Sequence, residues 1–521
     1  MDVQRQQAAI IRGLEDPARY PHPVTRIEHR ETHISHVLLA GDYAYKIKKP
    51  LDLGFLDFSS LEQRRFFCRE EVRLNARLAP SIYLDVVPIT GTHDDPHIDG
   101  HGTPIEYAVR MRRFDDDGLL DRLLDRGEVG PGLIDDAARR IAEFHDAIAV
   151  ATDRTWGTPS AILSPARENF DQIEARVGDP ADTSRLQALR RWTDERVGAL
   201  DDTLARRRSQ GRIRECHGDM HLGNMALQDG ELIIFDGIEF NENLRWIDVA
   251  SDVAFLVMDL DQRGAPDLAS RFLDRWLAAT GDYDALAVLR FYLVYRAVVR
   301  AKIAAIRMAQ DIDAAERQRL HDRFRAYLGL AERYAAAWAP AVLVTRGVAG
   351  SGKSTAAQVL VERLGAVRIR SDVERRRLFP DPDPAVRYAA AAHDAVYARL
   401  EAIAARAVAA GFPVILDATF LERERRAPLA RLAERFGAAF RILDLDLPDA
   451  TLERRLRARQ QAGTDASEAD VAVMTRQRER IEPLTTSERR HRIRVDNTGG
   501  APLVPRTGLP HARGFAPDET D

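Results

Sequence analysis

The apolar and polar positions of residues 33–40 and 43–48 read as two strands on either side of Gly41-Asp42, and this predicts a β-hairpin. A helical repeat follows from about Leu61 to Leu78, then strand-like stretches at residues 82–89 and 105–111. From about Pro131 the spacing is mainly helical, interrupted by short strands at 213–216 and 231–235, and long helices fill residues 266–338 up to Pro340. At Ala341 the pattern changes. An apolar strand, a glycine-rich turn and a helix are followed by strands at 366–369 and 413–416 with helices around them, and by further strands at 440–445 and 492–495. Strands alternating with helices imply a parallel sheet that binds ligands at its carboxyl edge. From Gly499 onward the chain is rich in Pro, Gly and charge, the composition of a disordered tail.

The switch at Pro340 predicts two domains, residues 1–338 with an α+β fold and residues 341–498 with an α/β fold, followed by the tail at 499–521. Length agrees, because 521 residues exceed what one core organises. Hydrophobic residues at 45% and charged residues at 30% describe an ordinary globular protein, and a net charge of -5 excludes a general nucleic-acid-binding surface. Two cysteines, Cys68 and Cys216, make no disulfide framework. With no apolar run near ~20 residues and a polar start, the expectation is a cytoplasmic protein without a membrane partner. Lysine is rare, occurring only at 46, 48, 49, 302 and 353. Each one is informative, since a compact ammonium is hard to replace beside a phosphate.

Two stretches carry chemistry. Gly347-Val348-Ala349-Gly350-Ser351-Gly352-Lys353-Ser354 is a full P-loop that opens a helix after an apolar strand. Gly347, Gly350, Ser351, Gly352 and Thr355 belong to the phosphate cradle, Lys353 reaches the β/γ oxygens, and the Ser354 hydroxyl is a magnesium ligand. His217-Gly218-Asp219-Met220-His221-Leu222-Gly223-Asn224 has the spacing of a kinase catalytic loop, with a base at Asp219 and a metal-binding asparagine at Asn224.

That loop, followed by Ile233-Ile234-Phe235-Asp236-Gly237, resembles the aminoglycoside phosphotransferase and choline kinase superfamily over roughly residues 25–335. The resemblance implies a two-lobed, protein-kinase-like fold, with a small lobe at about 25–112 and a large lobe at about 113–338. It assigns the acceptor hydroxyl to Asp219, magnesium to Asn224 and Asp236, and a bracing role to His217. It also implies a strand lysine paired with a helix glutamate: Lys46 matches best, Lys48 on the same strand face is the alternative, and Glu71 is the partner. Asp248 resembles the aspartate that buttresses the catalytic loop, and no glycine-rich loop precedes Lys46. His145 reads as a buried, hydrogen-bonded histidine.

In the second domain, Ile369-Arg370-Ser371-Asp372-Val373-Glu374-Arg375 resembles the acceptor motif of small P-loop kinases such as gluconate kinase, the zeta-toxin kinases and polynucleotide 5'-kinase. Asp372 is then the base and Arg375 or Arg370 an acceptor clamp. Asp417 stands where such folds place a water-mediated magnesium ligand or an acceptor contact, and Arg455 and Arg459 resemble lid arginines that close over ATP. The two parts together resemble bacterial fusions of an aminoglycoside phosphotransferase-like domain with an AAA-type P-loop kinase domain. This implies a bifunctional phosphotransferase that uses ATP and Mg2+ on small-molecule hydroxyl acceptors, a nucleic-acid end being less favoured. The alternative is one active P-loop kinase or ATPase domain joined to a kinase-like regulatory nucleotide-binding domain.

Overall fold

A computed structural model describes residues 3–498, 502–505 and 509, apart from residues 55, 154, 382, 388 and 463–469. The chain divides into two compact units, residues 1–136, 143–161 and 205–256 in one and residues 137–142, 162–204 and 257–521 in the other.

The first unit is built on β1 (Ile27–Glu31), β2 (Ser35–Ala40), β3 (Tyr43–Lys48), β4 (Tyr83–Gly91), β5 (Pro96–Ile98) and β6 (Glu106–Arg112). They form one antiparallel sheet in the order β1-β2-β3-β6-β4-β5. Gly41, at φ +58, makes the turn between β2 and β3. The Leu61–Asn75 helix starts at a capping box between Ser60 and Gln63. Cys68, Glu71 and Asn75 lie three and four positions apart, so one buried face of the helix carries them. β7 (Ile213–Glu215) pairs with β10 (Trp246–Asp248), and β8 (Met225–Gln228) with β9 (Glu231–Ile234), each antiparallel. The pattern missed β1, β5, β8 and β10 and the Val3–Gly13 helix. β1 is largely exposed and so lacks an apolar alternation, while the helix covers the sheet with Ile10 and Ile11 and ties Gln7 to the Lys48 carbonyl at 2.7 Å.

The second unit holds the helices Pro266–Thr280, Leu286–Met308 and Ala314–Ala335 together with a parallel sheet. Its strands are β11 (Ala341–Arg346), β12 (Val367–Arg370), β13 (Val414–Asp417), β14 (Ala439–Asp444) and β15 (Arg492–Arg494), in the order β12-β13-β11-β14-β15. Val342, Leu343 and Val344 are fully buried, as a central parallel strand covered on both faces requires. The chain order reverses beside β11, which opens a crevice at its carboxyl end, and the P-loop leads from there into the Lys353–Leu364 helix. The tail departs from its expected disorder at residues 502–505: Leu503 pairs with Asp496, and Val504 is buried in the core of the sheet. Those apolar side chains find a hydrophobic partner; the rest of the tail, residue 509 apart, lies outside the described residues.

Candidate active sites

In the first unit the β8–β9 hairpin sets the spacing of the polar residues. Asn224 accepts the Phe235 backbone N–H at 3.0 Å, so Asn224 and Asp236 emerge from the same end of the hairpin. Asn224 Nδ2 donates to the Asp219 carbonyl at 2.9 Å and to Asp219 Oδ2 at 3.0 Å, which leaves the Asn224 amide oxygen for a cation. Asp236 adopts φ +62, a left-handed conformation that costs an L residue on the order of 1–3 kcal/mol. Gly218 also has positive φ, +85, and a Cβ there would stand 2.7 Å from the Leu244 carbonyl oxygen. Only glycine fits that position in the loop.

The loop is braced by Asp252, and the expectation for Asp248 is corrected. The backbone N–H groups of His217 and Gly218 donate to the two Asp252 carboxylate oxygens, each at 2.9 Å. Asp248 instead binds Arg207 through both oxygens, at 2.6 and 2.7 Å. The two aspartates are four residues apart, and only packing decides which one reaches the loop. His145 is buried with Nε2 3.5 Å from Asp252 Oδ2. His217 Nε2 lies 2.9 Å from the Phe235 carbonyl, while its Nδ1 accepts the Asp219 N–H at 3.3 Å. Burial pushes the His217 imidazole down, against the pull of Asp252 and Asp219, in keeping with this neutral tautomer.

Lys46 ties the sheet to Asp236. Its ammonium lies 2.5 Å from Asp236 Oδ1 and 2.8 Å from Glu71 Oε1. Lys48, fully buried, takes the other Glu71 oxygen at 2.7 Å and also binds Glu239. Both lysines of the strand face are therefore engaged, Lys46 with Glu71 and Asp236, and Lys48 with Glu71 and Glu239. Burial opposes every one of these charges. For Glu71 the two lysines outweigh it and hold the carboxylate down at about 2, whereas burial keeps Glu239 above the usual carboxylate value despite Lys48. Asp236 and Lys46 line a cavity of ≈ 710 Å³, whose apolar wall includes Val37, Leu39, Ala44, Ile82 and Phe235. Where a glycine-rich loop would cover phosphates, the turn after β1 is closed by Thr32: its Oγ1 donates to the Ser35 carbonyl at 3.1 Å and accepts the Ser35 N–H at 3.0 Å.

In the second unit the P-loop glycines Gly350 and Gly352 adopt φ +82 and +84. A Cβ on Gly352 would overlap the Asn497 side chain, whose Nδ2 donates to the Ser351 carbonyl at 2.8 Å. Gly347 packs against the Leu445 carbonyl oxygen and Ser351 Oγ, and Ser351 is fully buried. Lys353 donates to the Val348 carbonyl at 2.8 Å, Ser354 follows it in the first helical turn, and Thr355 is exposed. Arg455 reaches the Asn497 carbonyl at 2.6 Å, beside the P-loop; the side chain of Arg459 lies outside the described residues. Arg370 and Asp417 are partners in register at the ends of β12 and β13, 3.8 Å apart. Asp417 Oδ2 is buried without a hydrogen-bond partner among the described residues, the condition of a carboxylate oxygen that fits a cation or its water. Asp372 and Arg375 lie three residues apart on the Ser371–Leu378 helix that leaves β12. Asn497 and Gln477, whose Oε1 accepts the Ala349 N–H at 2.8 Å, escaped the sequence reading because neither belongs to a contiguous motif.

The chain matches the family model described as Phosphotransferase enzyme family over residues 62–292 and the AAA domain model over residues 342–484. An uncharacterized protein of Mycobacterium tuberculosis (strain ATCC 25618 / H37Rv) is 32% identical over 464 residues, which cover 87% of this chain and 90% of that protein. An uncharacterized protein of Mycobacterium bovis matches with the same figures. Among solved structures, a choline/ethanolamine kinase family protein from Mesorhizobium loti shows 14% identity and a TM-score of 0.37, covering 63% of this chain and 99% of its own. A gluconokinase from Sinorhizobium meliloti shows 20% identity and a TM-score of 0.24, covering 31% and 85%.

Proposed function

Because the chain belongs to the same family as these mycobacterial proteins, and joins a phosphotransferase-family domain to an AAA-type P-loop domain, we propose that it is an ATP-dependent phosphotransferase with two active sites. The observation that carries the reading is Lys46, held between Glu71 and Asp236 in the lining of a cavity large enough for a nucleotide. In the first site Asp219 accepts the proton of an acceptor hydroxyl while Lys46 holds the ATP phosphates. The hard oxygen donors of Asn224 and Asp236, and of Ser354 and Asp417 in the second site, suit magnesium, which when bound offsets phosphate charge. In the second site the P-loop amides and Lys353 cradle the phosphates, Asp372 receives the acceptor proton, and Arg455 lies where it can offset charge developing in transfer. The acceptors are small hydroxyl compounds, and the protein works in the cytoplasm. Among the described residues no helix is long and apolar enough to cross a membrane.

The test uses the full chain carrying Lys353→Ala, so that only the first site turns over. Asp219→Asn should leave Mg-ATP affinity nearly intact and remove transfer from labelled ATP, whereas Asp236→Asn should weaken magnesium-dependent nucleotide binding as well. If the Lys353→Ala chain binds no nucleotide at any magnesium concentration, the first site is a kinase-shaped scaffold. A second reading, in which the first domain binds nucleotide as a regulator without transferring phosphate, draws on the Thr32 turn that replaces a glycine-rich loop. It expects calorimetric ATP binding with no Asp219-dependent transfer.

A further inference from the structure

The strand that leads to Asp372, β12, lies at the edge of the parallel sheet, and an edge strand leaves backbone donors without a neighbouring strand. Here a side chain takes one of them. Asp274, buried on the Pro266–Thr280 helix, accepts the Arg368 N–H with one carboxylate oxygen and the Arg368 guanidinium with the other, each at 3.0 Å. The second terminal nitrogen of Arg368 donates to the Ser354 carbonyl at 3.1 Å, so one guanidinium joins that helix to the first turn of the P-loop helix. Burial opposes the Arg368 charge, and Asp274 and then Asp417 more than restore it, which holds the guanidinium above its ordinary value.

The far end of the segment returns to the same helix. Asp372 stands in the first turn of the Ser371–Leu378 helix, and Arg377 in its last turn donates to the Ala278 carbonyl at 2.6 Å, where the Pro266–Thr280 helix ends and its dipole favours a cation. Gly281 caps that helix at φ +67, and a Cβ on it would stand 2.7 Å from Arg377 Nε. Glu374, fully buried and between Asp372 and Arg377 in sequence, binds Arg377 and, at 3.2 Å, Arg399. All of these residues belong to the second unit. Residues 368–377, which carry Asp372, are thus fastened at each end to one helix that precedes Pro340, across sequence separations of 94 and 99 residues.

We propose that the Pro266–Thr280 helix is a positioning element of the P-loop site: through Asp274 and Arg377 it sets where Asp372 stands relative to the phosphate cradle. This rests on the reading of that site as a kinase site with Asp372 as its base. Neither Asp274 nor Arg377 belongs to the reacting groups; both act through residues 368–377. A base must lie within hydrogen-bond reach of the acceptor hydroxyl, and a misplacement of about 1 Å costs on the order of 100-fold in rate. β13 holds β12 from one side only, and the helix supplies the second constraint. Nucleotide affinity rests instead on Lys353 and the P-loop amides, so loosening the segment acts on transfer and spares binding. The second site is then complete only with residues that the linear order assigns to the first domain.

The test uses the full chain carrying Asp219→Asn, so that turnover of labelled ATP, with water alone and with gluconate as the acceptor probe, reports the P-loop site. Arg377→Gln and, independently, Gly281→Ala, which drives Arg377 from the helix end, should each lower kcat about tenfold or more at temperatures where the variant is folded. Both should leave the Kd for a nonhydrolysable ATP analogue with magnesium within about threefold. Arg377→Lys, which keeps a cation at the helix end, should recover part of the loss. Arg406→Gln removes a comparable ion pair, with Asp284 at 3.1 Å, outside residues 368–377, and should leave kcat unchanged. Hydrogen exchange of residues 369–378 should quicken about tenfold or more in Arg377→Gln while residues 353–364 stay protected, a readout that needs no acceptor. A lower melting temperature with unchanged kcat and exchange, or an analogue Kd that weakens as far as kcat falls, would overturn the proposal. The kinase reading fails on a separate result: labelled ATP turned over equally by Asp219→Asn and by Asp219→Asn/Lys353→Ala, in which case the exchange measurement still decides whether the helix holds the segment.

Discussion

Glu71 carries two lysines on one carboxylate with no solvent to share the charge, and its protonation therefore bears directly on stability. Its pKa is lower in the folded chain, about 2 against an ordinary 4.5, so its contribution is complete above the unfolded value and is lost as pH falls from about 4.5 through about 2. Acid unfolding followed by circular dichroism should show a steeper loss in that window for wild type than for Glu71→Gln. At neutral pH Glu71→Gln should itself cost about 3–5 kcal/mol, since Lys46 and Lys48 keep their charges in a buried setting that has lost the anion they share and retains only Asp236 and Glu239. Urea titration at pH 7 measures this. Equal midpoints for the two proteins would mean that the lysines are solvated in a way the burial does not show.

At the scale of the element, the loop of residues 217–224 is held by backbone geometry as much as by side chains. Gly218 has no room for a methyl group beside the Leu244 carbonyl and sits at φ +85, so Gly218→Ala should destabilise by more than about 1 kcal/mol and displace Asp219. Activity should fall further than stability, read as loss of kcat at temperatures where the variant is fully folded. Asp252→Asn keeps the volume but supplies one acceptor oxygen where two backbone N–H groups donate. A cost of roughly 1–3 kcal/mol follows from the orphaned donor. Asp248→Asn, by contrast, should leave the loop in place and loosen Arg207, a difference that hydrogen exchange at His217 and Gly218 distinguishes.

At the scale of the molecule, the sheet of the second unit is tied to the helices that precede Pro340. Asp274, on the Pro266–Thr280 helix, accepts the Arg368 backbone N–H and guanidinium, each at 3.0 Å, and Arg368 also donates to the carbonyl of Ser354 in the P-loop helix. Trp338 meets Phe412 edge-on, 5.0 Å between centroids. We propose residues 1–338 and 341–498 as the domains and Pro340 as a site of limited proteolysis. A fragment from residue 341 should nevertheless melt below the corresponding transition of the full chain, because Arg368 and Phe412 lose these partners. Arg368→Met should recover part of the loss in the fragment while destabilising the full chain, as an unpaired buried charge predicts. Scanning calorimetry of the four proteins decides it.

Contiguous chemistry was legible without coordinates. The P-loop and the Asp219–Asn224–Asp236 spacing are local because backbone turns and a short hairpin set their geometry, and the alternation of apolar runs shows the parallel sheet because each strand must be buried on both faces. Periodicity placed the helix of residues 61–78, but Glu71 was singled out in it only by the family resemblance. What only the tertiary structure decided are choices between near-equivalent residues and contacts across long separations. It selected Asp252 over Asp248 as the brace, gave Lys46 and Lys48 separate tasks, placed Asn497 against Gly352, buried Val504 in the core, and joined Asp274 to Arg368. In each case the sequence offered several polar or apolar groups of the right kind, and the deciding term was which of them packing removed from water beside an unsatisfied partner.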